Sequence, residues 1–406
     1  MLVLKHLFPL SLIRGVRMME TKKALPILFL VMFLVMVGFG IIIPVLPFYA
    51  KEIGASPTEL GLLMSVYSLM QLIFAPIWGQ VSDRIGRKPV MMLGIAGLAL
   101  SFFIQAISTQ LWMLFVARII GGILSSANMP TAMAYVADIT TEENRGKGMG
   151  IVGAATGLGF VFGPAIGGIF SKISLNMPFY LASGSSFITL ILVFILLKES
   201  KQKGSETVQK RPPFWKALNG ATSILFFVQF LISLSLSGLE ATFAYFAAKK
   251  AGLDSIQLGI IFMIMGFGSA LVQGGLVGRL TKKYGENSVI QGGMIVSAIG
   301  FGLILLVHSF TTAAIFLTIF GLGNGVIRPS VSSLLTKTSS AGHGHSTGLL
   351  SSFDSLGRII GPTLGGWLYS ITIGLPYISG AVITIAAFVL FLLFRPQVNL
   401  VKLSNR

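Results

Sequence analysis

The sequence predicts an all-α membrane protein of twelve transmembrane helices, arranged as two six-helix repeats. Hydrophobic residues make up 54% of the 406 residues and charged residues only 11%, a balance that soluble domains of this length do not have. Twelve apolar runs follow one another, each close to the roughly 20 residues that a helix needs to cross a bilayer. The last six runs also repeat features of the first six.

The apolar runs form two sets of six, separated by one polar stretch. They lie near 25–49, 60–79, 89–108, 111–136, 148–171, 178–197, 219–247, 257–278, 288–308, 312–335, 347–371 and 375–394. We therefore predict one six-helix bundle over residues 24–197 and a second over 217–394. The charged stretch 198–216 contains paired prolines and predicts a linker. A basic segment, 1–23, precedes the first bundle, and a tail, 395–406, follows the second.

The two halves match at a nearly constant offset. The matched positions are Gly79 and Gly278, Asp83 and Lys282, Gly86 and Gly285, and Pro130 and Pro329, each pair 199 residues apart. A glycine-proline run at 163–168 recurs at 361–366, an offset of 198. Duplication around a central site is typical of secondary transporters, whereas a channel more often needs several identical subunits around a pore.

The distribution of basic residues predicts the orientation. Of the 30 lysines and arginines, 23 lie on the side that holds both termini, four lie on the other side, and three lie inside the spans. This bias predicts a multi-pass protein of the cell membrane with both termini in the cytoplasm. The pair Met18-Met19 leaves open where translation starts.

Composition and motifs argue against other classes of protein. The net charge of +17 is spread over short loops, so no nucleic-acid surface is expected. The chain has no cysteine and no phosphate-binding or nucleophile motif, so we expect no enzyme and no cofactor. His343 and His345 are too few for a metal site. The expected partners are the bilayer, protons and a small lipophilic substrate, bound by a monomer.

A short polar segment, 79–88, lies between the second and third spans. We expect it to be a tight cytoplasmic turn, since it is bounded by glycines and too short for bulky residues. The segment contains Gly79, Asp83, Arg84, Gly86, Arg87 and Lys88. The basic residues help to set the orientation of the chain in the membrane, whereas an acidic residue contributes little to it. Asp83 therefore indicates a specific partner, such as an arginine or a helix N-terminus.

This segment resembles the loop signature of the major facilitator superfamily over all ten residues. The resemblance implies a cytoplasmic gate, in which Asp83 holds the two halves together through the start of span eleven near Ser346 and Thr347. Arg87 and Asp138 are the further partners that it implies.

Five charged residues lie inside the spans, where each is costly unless paired or hydrated. They are Arg118, Glu240, Arg328, Asp354 and Arg358. Burial of Glu240 disfavours its ionised form until a cation or water stabilises the charge, which suits proton coupling. The alternative is a structural hydrogen bond to a neighbouring helix. Asp354 and Arg358 are four residues apart and are expected to satisfy one another, as a structural pair or as part of the cytoplasmic gate.

The sequence of span five resembles the antiporter motif of the drug-efflux branch of this superfamily. Its motif residues are Gly159, Gly163, Pro164, Gly167 and Gly168. Small residues at this spacing also serve close helix packing, and packing alone explains them physically. The resemblance is what points to export.

Nearly the whole chain resembles the twelve-span drug:proton antiporters, and among them the Gram-positive multidrug efflux proteins of the NorA and Bmr kind. The resemblance implies that Glu240 and Arg118 carry proton coupling, and that Glu240, Asn324 and Arg328 face the substrate. These relatives have an aspartate where this chain has Gly325. A second carboxylate is therefore missing there, and divalent cations are expected to be poorer substrates.

The leading prediction is thus proton-coupled export of lipophilic, cationic drugs by alternating access. One alternative is a dedicated carrier of a single sugar, lipid, tetracycline or other metabolite. Another is a membrane sensor that has lost transport.

Overall fold

The structure, a computed structural model, describes the backbone of residues 10–200, 223–338 and 343–404. Side chains are described over 24–200, 223–338 and 346–394. The first half contains α1 (Leu10–Glu52), α2 (Pro57–Ile85), α3 (Arg87–Ala106), α4 (Leu111–Ser125), α5 (Asn128–Ile139), α6 (Glu142–Ser171) and α7 (Met177–Leu196). The second half contains α8 (Ser223–Ala251), α9 (Ser255–Leu271), α10 (Val277–Ile304), α11 (Phe310–Thr338), α12 (His343–Ile371) and α13 (Leu375–Ser404).

The described helices make twelve crossings of the predicted bilayer. Ten stretches of helix are long and apolar enough to span a membrane, and α4 and α5 together form one of them. Another, Ser255–Ile304, runs from α9 through a π-helical turn at Val272–Leu276 into α10. It bends at Gly285, where φ is +78°, and so holds two crossings. With α12 as the remaining crossing, the predicted fold class is confirmed.

Equivalent helix starts in the two halves are fixed by the same local device. Ser56 caps α2 in a capping box with Glu59, and Asp254 caps α9 in a capping box with Gln257. Each side-chain oxygen accepts a bond from a backbone N–H that lacks a partner within its helix. These caps are 198 residues apart, so the duplication extends to the helix ends.

The same helix pairs pack in both halves. In the first half α1 packs on α6 and α7, α3 on α4 and α7, and α2 on α4. In the second half α8 packs on α12 and α13, α10 on α11 and α13, and α9 on α11. Each half has its own apolar core, and the halves meet where α2 packs on α12 and α6 packs on α9.

The structure corrects the tight turn predicted over residues 79–88. Helix α2 continues through this segment to Ile85, and α3 begins at Arg87. Only Gly86 interrupts the helices, with φ at +112°, a conformation that side chains other than glycine's rarely adopt. Gly79 lies within α2, so no turn requires glycine at this position.

Candidate functional site: a buried charge cluster between α8, α11 and α12

Glu240 lies in the interior of α8 with its side chain 12% exposed. Its charged partner is Arg358 on α12, with 3.8 Å between Glu240 Oε2 and Arg358 Nη1. Both residues lie near the middle of helices of 29 residues, far from either end. The structure thus places Glu240 as a buried carboxylate in the interior of an apolar helix, and supplies its cation.

Asp354 is buried against α8 by several polar contacts. Its Oδ1 accepts hydrogen bonds from Gln229 Nε2, at 2.8 Å, and from Ser233 Oγ. Its Oδ2 lies 3.3 Å from Arg358 Nε. The expected pairing of Asp354 with Arg358 is present, but Gln229 and Ser233 were not anticipated, since polar residues scattered in an apolar run give little signal.

Arg328 on α11 completes the group. Its Nη1 lies 3.8 Å from Asp354 Oδ2, and its side chain is 55% exposed. We call Glu240, Arg358, Asp354 and Arg328 the charge cluster. It contains two carboxylates and two guanidinium groups in alternating order, so it is neutral when all four are charged. The structure thus places Asp354 and Arg358 beside Glu240, deep in the second half, and not with the gate residues around Asp83.

Asn324 and Gly325, one turn before Arg328, lie on α11. A Cβ at Gly325 would be 3.4 Å from Ser269 on α9, which is ordinary contact. Asn324 is half-buried. The structure brings neither residue into the charge cluster.

Arg118 occupies a separate place in the first half. It is buried on α4, and its Cζ lies 5.4 Å from the centre of the Tyr67 ring on α2. The Tyr67 hydroxyl shares a 2.7 Å hydrogen bond with Ser125. The ion pairs among the described residues do not include Arg118, and its Nε has no hydrogen-bond partner there. A buried cation held by an aromatic face can bias charges nearby, although in this state it does not touch Glu240.

The gate residues gather around the turn at Gly86. Arg87 donates to Asp83 at 2.5 Å and to Asp138 at 3.0 Å. Asp83 is otherwise accessible, with its side chain 63% exposed. Arg87 therefore joins Asp83 to Asp138, and a gating role for this group stays a prediction.

A further member of this group, Glu199, was not anticipated from the sequence. Its two carboxylate oxygens accept from the backbone N–H groups of Arg87, at 2.8 Å, and Lys88, at 3.0 Å. They cap the N-terminus of α3, where negative charge is favoured. A Cβ at Gly86 would lie 2.9 Å from the Glu199 carboxyl carbon, so that flexible side chain would have to move aside, and glycine is required here chiefly by its φ of +112°.

An ion pair occupies the equivalent position in the second half, with its charges reversed. Glu286 at the first turn after Gly285 pairs with Lys337 at the end of α11, and Ser333 donates to the same carboxylate at 3.1 Å. Glu286 and Lys337 follow Arg87 and Asp138 by 199 residues each. The offset seen between the halves would have revealed this pair, had it been applied to charged positions of opposite sign.

The two halves are packed together at one end and apart at the other. At the ends of α2 and α12 farthest from Gly86, Ser65 bonds Thr363 at 2.7 Å, and a Cβ at Gly366 would lie 3.0 Å from Thr58. On α6 and α9, a Cβ at Gly259 would lie 3.2 Å from Gly168. Nearer to Gly86, four glycines of these helices would meet nothing within 4 Å, and none of them contacts the opposite half: Gly79, Gly153, Gly157 and Gly348. The structure therefore opens toward the face predicted to be cytoplasmic.

The glycines of the span-five motif make the close contacts of α6. Added Cβ atoms at Gly159 and Gly163 would lie 2.6 Å from Met36 and 2.7 Å from Gly40, both on α1. Gly168 faces the other way, with 3.0 Å from its added Cβ to Ile256 on α9. The motif joins α6 to its own half and to the opposite half.

Two halves packed together at one end and apart at the other, with a charge cluster in the interior of long apolar helices, are typical of a membrane transporter. The sequence matches the family profile described as Major Facilitator Superfamily over residues 28–273 and 225–405. It is 32% identical to "Multidrug resistance protein 2" of Bacillus subtilis (strain 168) over 390 residues, covering 94% of this chain and 97% of that protein. It is 27% identical to "Quinolone resistance protein NorA" of Staphylococcus aureus over 389 residues, covering 94% and 99%. The chain belongs to the Major Facilitator Superfamily.

Solved structures show the same fold. The human organic anion transporter MFSD10 (TETRAN) matches with a TM-score of 0.68 at 24% identity, over 91% of this chain and 99% of that one. A POT family transporter in complex with 5-aminolevulinic acid matches with a TM-score of 0.80 at 16% identity, over 92% and 96%. The resemblance to multidrug efflux proteins drawn from the sequence motifs is confirmed by the relatives, and the family is one of transporters.

Proposed function

We propose that this protein exports lipophilic monocations from the cell in exchange for protons, as a monomer with both termini in the cytoplasm. The observation that carries the proposal is the buried Glu240, whose charge is balanced by one cation, Arg358, at 3.8 Å. The printed names of the relatives, multidrug and quinolone resistance proteins, support drug export. The excess of basic residues on the face that is open in this structure supports the orientation.

The proposed exchange follows from competition at one carboxylate. Ionised Glu240 attracts a drug cation that enters from the open face, whose rings need no matched hydrogen bonds in an apolar site. A proton bound to Glu240 removes that attraction and releases the drug. Since both ligands require the same oxygens, neither leaves efficiently unless the other binds, and the inward proton gradient then drives export.

Arg118 and the gate residues have supporting roles in this proposal. Arg118 supplies a fixed positive charge in the first half, which comes closer to Glu240 when the halves rock together. The cluster of Asp83, Arg87 and Asp138 closes the cytoplasmic face in the opposite state. Alternation between the two states gives access to one side at a time.

Ethidium accumulation in cells tests the proposal. Cells expressing the protein should accumulate less ethidium than control cells, and an uncoupler should erase the difference. Glu240→Gln should behave like the empty control, whereas the matched variant Glu52→Gln, at the end of α1, should export normally. Export by Glu240→Gln at the normal rate would remove this carboxylate from the mechanism.

Substrate charge provides a second readout of the same proposal. Asp354 already contacts both Arg358 and Arg328, so its charge is not free for a second positive group on the drug. A dication of similar bulk should therefore be exported less well than ethidium. Equal export of the dication would show that a second carboxylate is available to substrate.

A further inference from the structure

We infer that Asp354 is a positioning residue of the exchange site, which holds Arg358 whenever Glu240 is protonated. The inference rests on the proposed function and adds a residue and a role to it. It starts from the fact that one guanidinium group is shared by two carboxylates on different helices. Arg358 presents Nη1 to Glu240 at 3.8 Å and Nε to Asp354 at 3.3 Å.

The shorter contact is the one to Asp354, and Asp354 is itself fixed. Gln229 and Ser233 on α8 both donate to its Oδ1. These two residues are 11 and seven positions before Glu240, so all three lie on one side of α8, within three turns. One face of α8 therefore holds Asp354 in place and also presents the carboxylate that would take the proton.

The arrangement solves an electrostatic problem that a Glu240–Arg358 pair alone would have. Protonation of Glu240 in a two-residue pair would leave Arg358 as an unpaired cation in the membrane interior, which is strongly unfavourable. With Asp354 present, Arg358 keeps a negative partner in both protonation states of Glu240. Arg328 contacts the same carboxylate oxygen of Asp354, Oδ2, at 3.8 Å, and balances its charge when Arg358 is drawn toward Glu240.

The charged groups that interact with Glu240 belong to the charge cluster. Arg358 and Asp354 are the charged groups that act most strongly on the Glu240 carboxylate. Arg328 contacts Asp354 and acts on Glu240 through it. The titratable tyrosines of these helices pack in ring contacts of their own, Tyr245 of α8 with Tyr369 of α12, and Tyr377 of α13 with Phe246 of α8. The described charges of α1 and α2, which also pack on α8, lie toward the helix ends: Lys51, Glu52, Glu59, Asp83 and Arg84.

The role assigned to Asp354 makes a signed prediction for the pH dependence of exchange. Asp354→Asn leaves Arg358 with Glu240 as its sole carboxylate partner in the cluster, which stabilises ionised Glu240. Half-maximal exchange should then require a more acidic medium, by about one pH unit. Arg358→Gln removes the stabilising cation and should shift the profile in the alkaline direction. Damage to folding would lower the exchange rate of both variants, but it would not shift their pH profiles in opposite directions.

The experiment measures ethidium–proton exchange by purified full-length protein in proteoliposomes across a series of pH values. Wild type, Asp354→Asn and Arg358→Gln are compared, with Asp254→Asn at the external cap of α9 as the matched control. Ser233→Ala keeps every charge but loosens Asp354, so a small acidic shift is expected. It also serves as the readout if Asp354→Asn fails to fold.

The outcomes separate this inference from the proposed function. No exchange by wild type would overturn the proposed function itself. Normal wild-type exchange with unshifted profiles in Asp354→Asn and Ser233→Ala would overturn the role of Asp354 alone. An alkaline shift in Asp354→Asn would contradict it as well, because the sign would be wrong.

Discussion

The charge-reversed pairs show how single residues retain a role through duplication while exchanging sign. Arg87 binds Asp138 in the first half, and Glu286 binds Lys337 at the equivalent place in the second. Each pair joins the start of one span to the end of the next, beside a glycine with positive φ, Gly86 or Gly285. The fold requires two residues of opposite charge at this site, and either position can carry the positive charge.

Reversal of one charge should therefore be harmful and reversal of both should be tolerated. Lys337→Glu places a second carboxylate against the buried side chain of Glu286 and should lower the free energy of unfolding by about 2 kcal/mol. The double variant Glu286→Lys, Lys337→Glu should recover most of that loss. Thermal unfolding of the purified protein in detergent measures both. A double variant no more stable than the single one would show that the polarity itself matters.

At the scale of helices, close contact between α1 and α6 depends on glycines at particular positions. A Cβ at Gly163 would lie 2.7 Å from Gly40, whereas a Cβ at Gly157, less than two turns away, meets no neighbouring helix within 4 Å. Close packing on α1 therefore requires glycine at the motif position Gly163. It does not require glycine at Gly157 on the same helix.

This difference predicts opposite effects of the same substitution on one helix. Gly163→Ala should destabilise the protein by about 2 kcal/mol, since overpacking forces the helices apart. Gly157→Ala should be neutral or stabilising by up to about 1 kcal/mol, because alanine favours helix. Unfolding in detergent compares the two variants. Equal losses would mean that α6 needs glycine for flexibility and not for contact with α1.

The sequence predicted the helices better than it predicted their ends and their partners. Span positions follow from apolar length, so all twelve crossings were anticipated, but α2 continued through 79–88 because a polar helix is as acceptable as a turn once it leaves the bilayer. Glu240 stood out as a charge in an apolar run. Gln229, Ser233 and Asp354 did not combine into one site on the sequence, because their contacts join residues 125 and 121 positions apart.

At the scale of the whole molecule, the packed ends of the halves predict how the open ends meet. Facing residues of α6 and α9 have numbers that add to 427, as for Gly168 with Gly259 and Val161 with Gly266. Extending that register places Glu143, in the first turn of α6, opposite Tyr284 in α10, one residue from Lys283. On α2 and α12, Ser65 faces Thr363, and the same extension brings Asp83 to the start of α12 near Ser346.

Cysteine pairs should report this closure directly, since the natural chain contains no cysteine. Ser171→Cys with Ser255→Cys, whose hydroxyls are now 2.7 Å apart, should crosslink readily in the state described here. Glu143→Cys with Lys283→Cys should crosslink only when the opposite state is populated, and each crosslink should stop transport. Asp83→Asn should weaken the closed face and raise cysteine accessibility from the cytoplasm. Simultaneous crosslinking of both pairs in one molecule would contradict alternation.

Proton counterflow in proteoliposomes tests the central proposal most directly. With purified protein, a pH gradient alone should drive ethidium against its concentration gradient, and added ethidium should drive a measurable proton flux in the opposite direction. Glu240→Gln should do neither, while Glu52→Gln should do both. Ethidium transport by wild type without proton flux, or coupled flux retained by Glu240→Gln, would contradict exchange at this carboxylate.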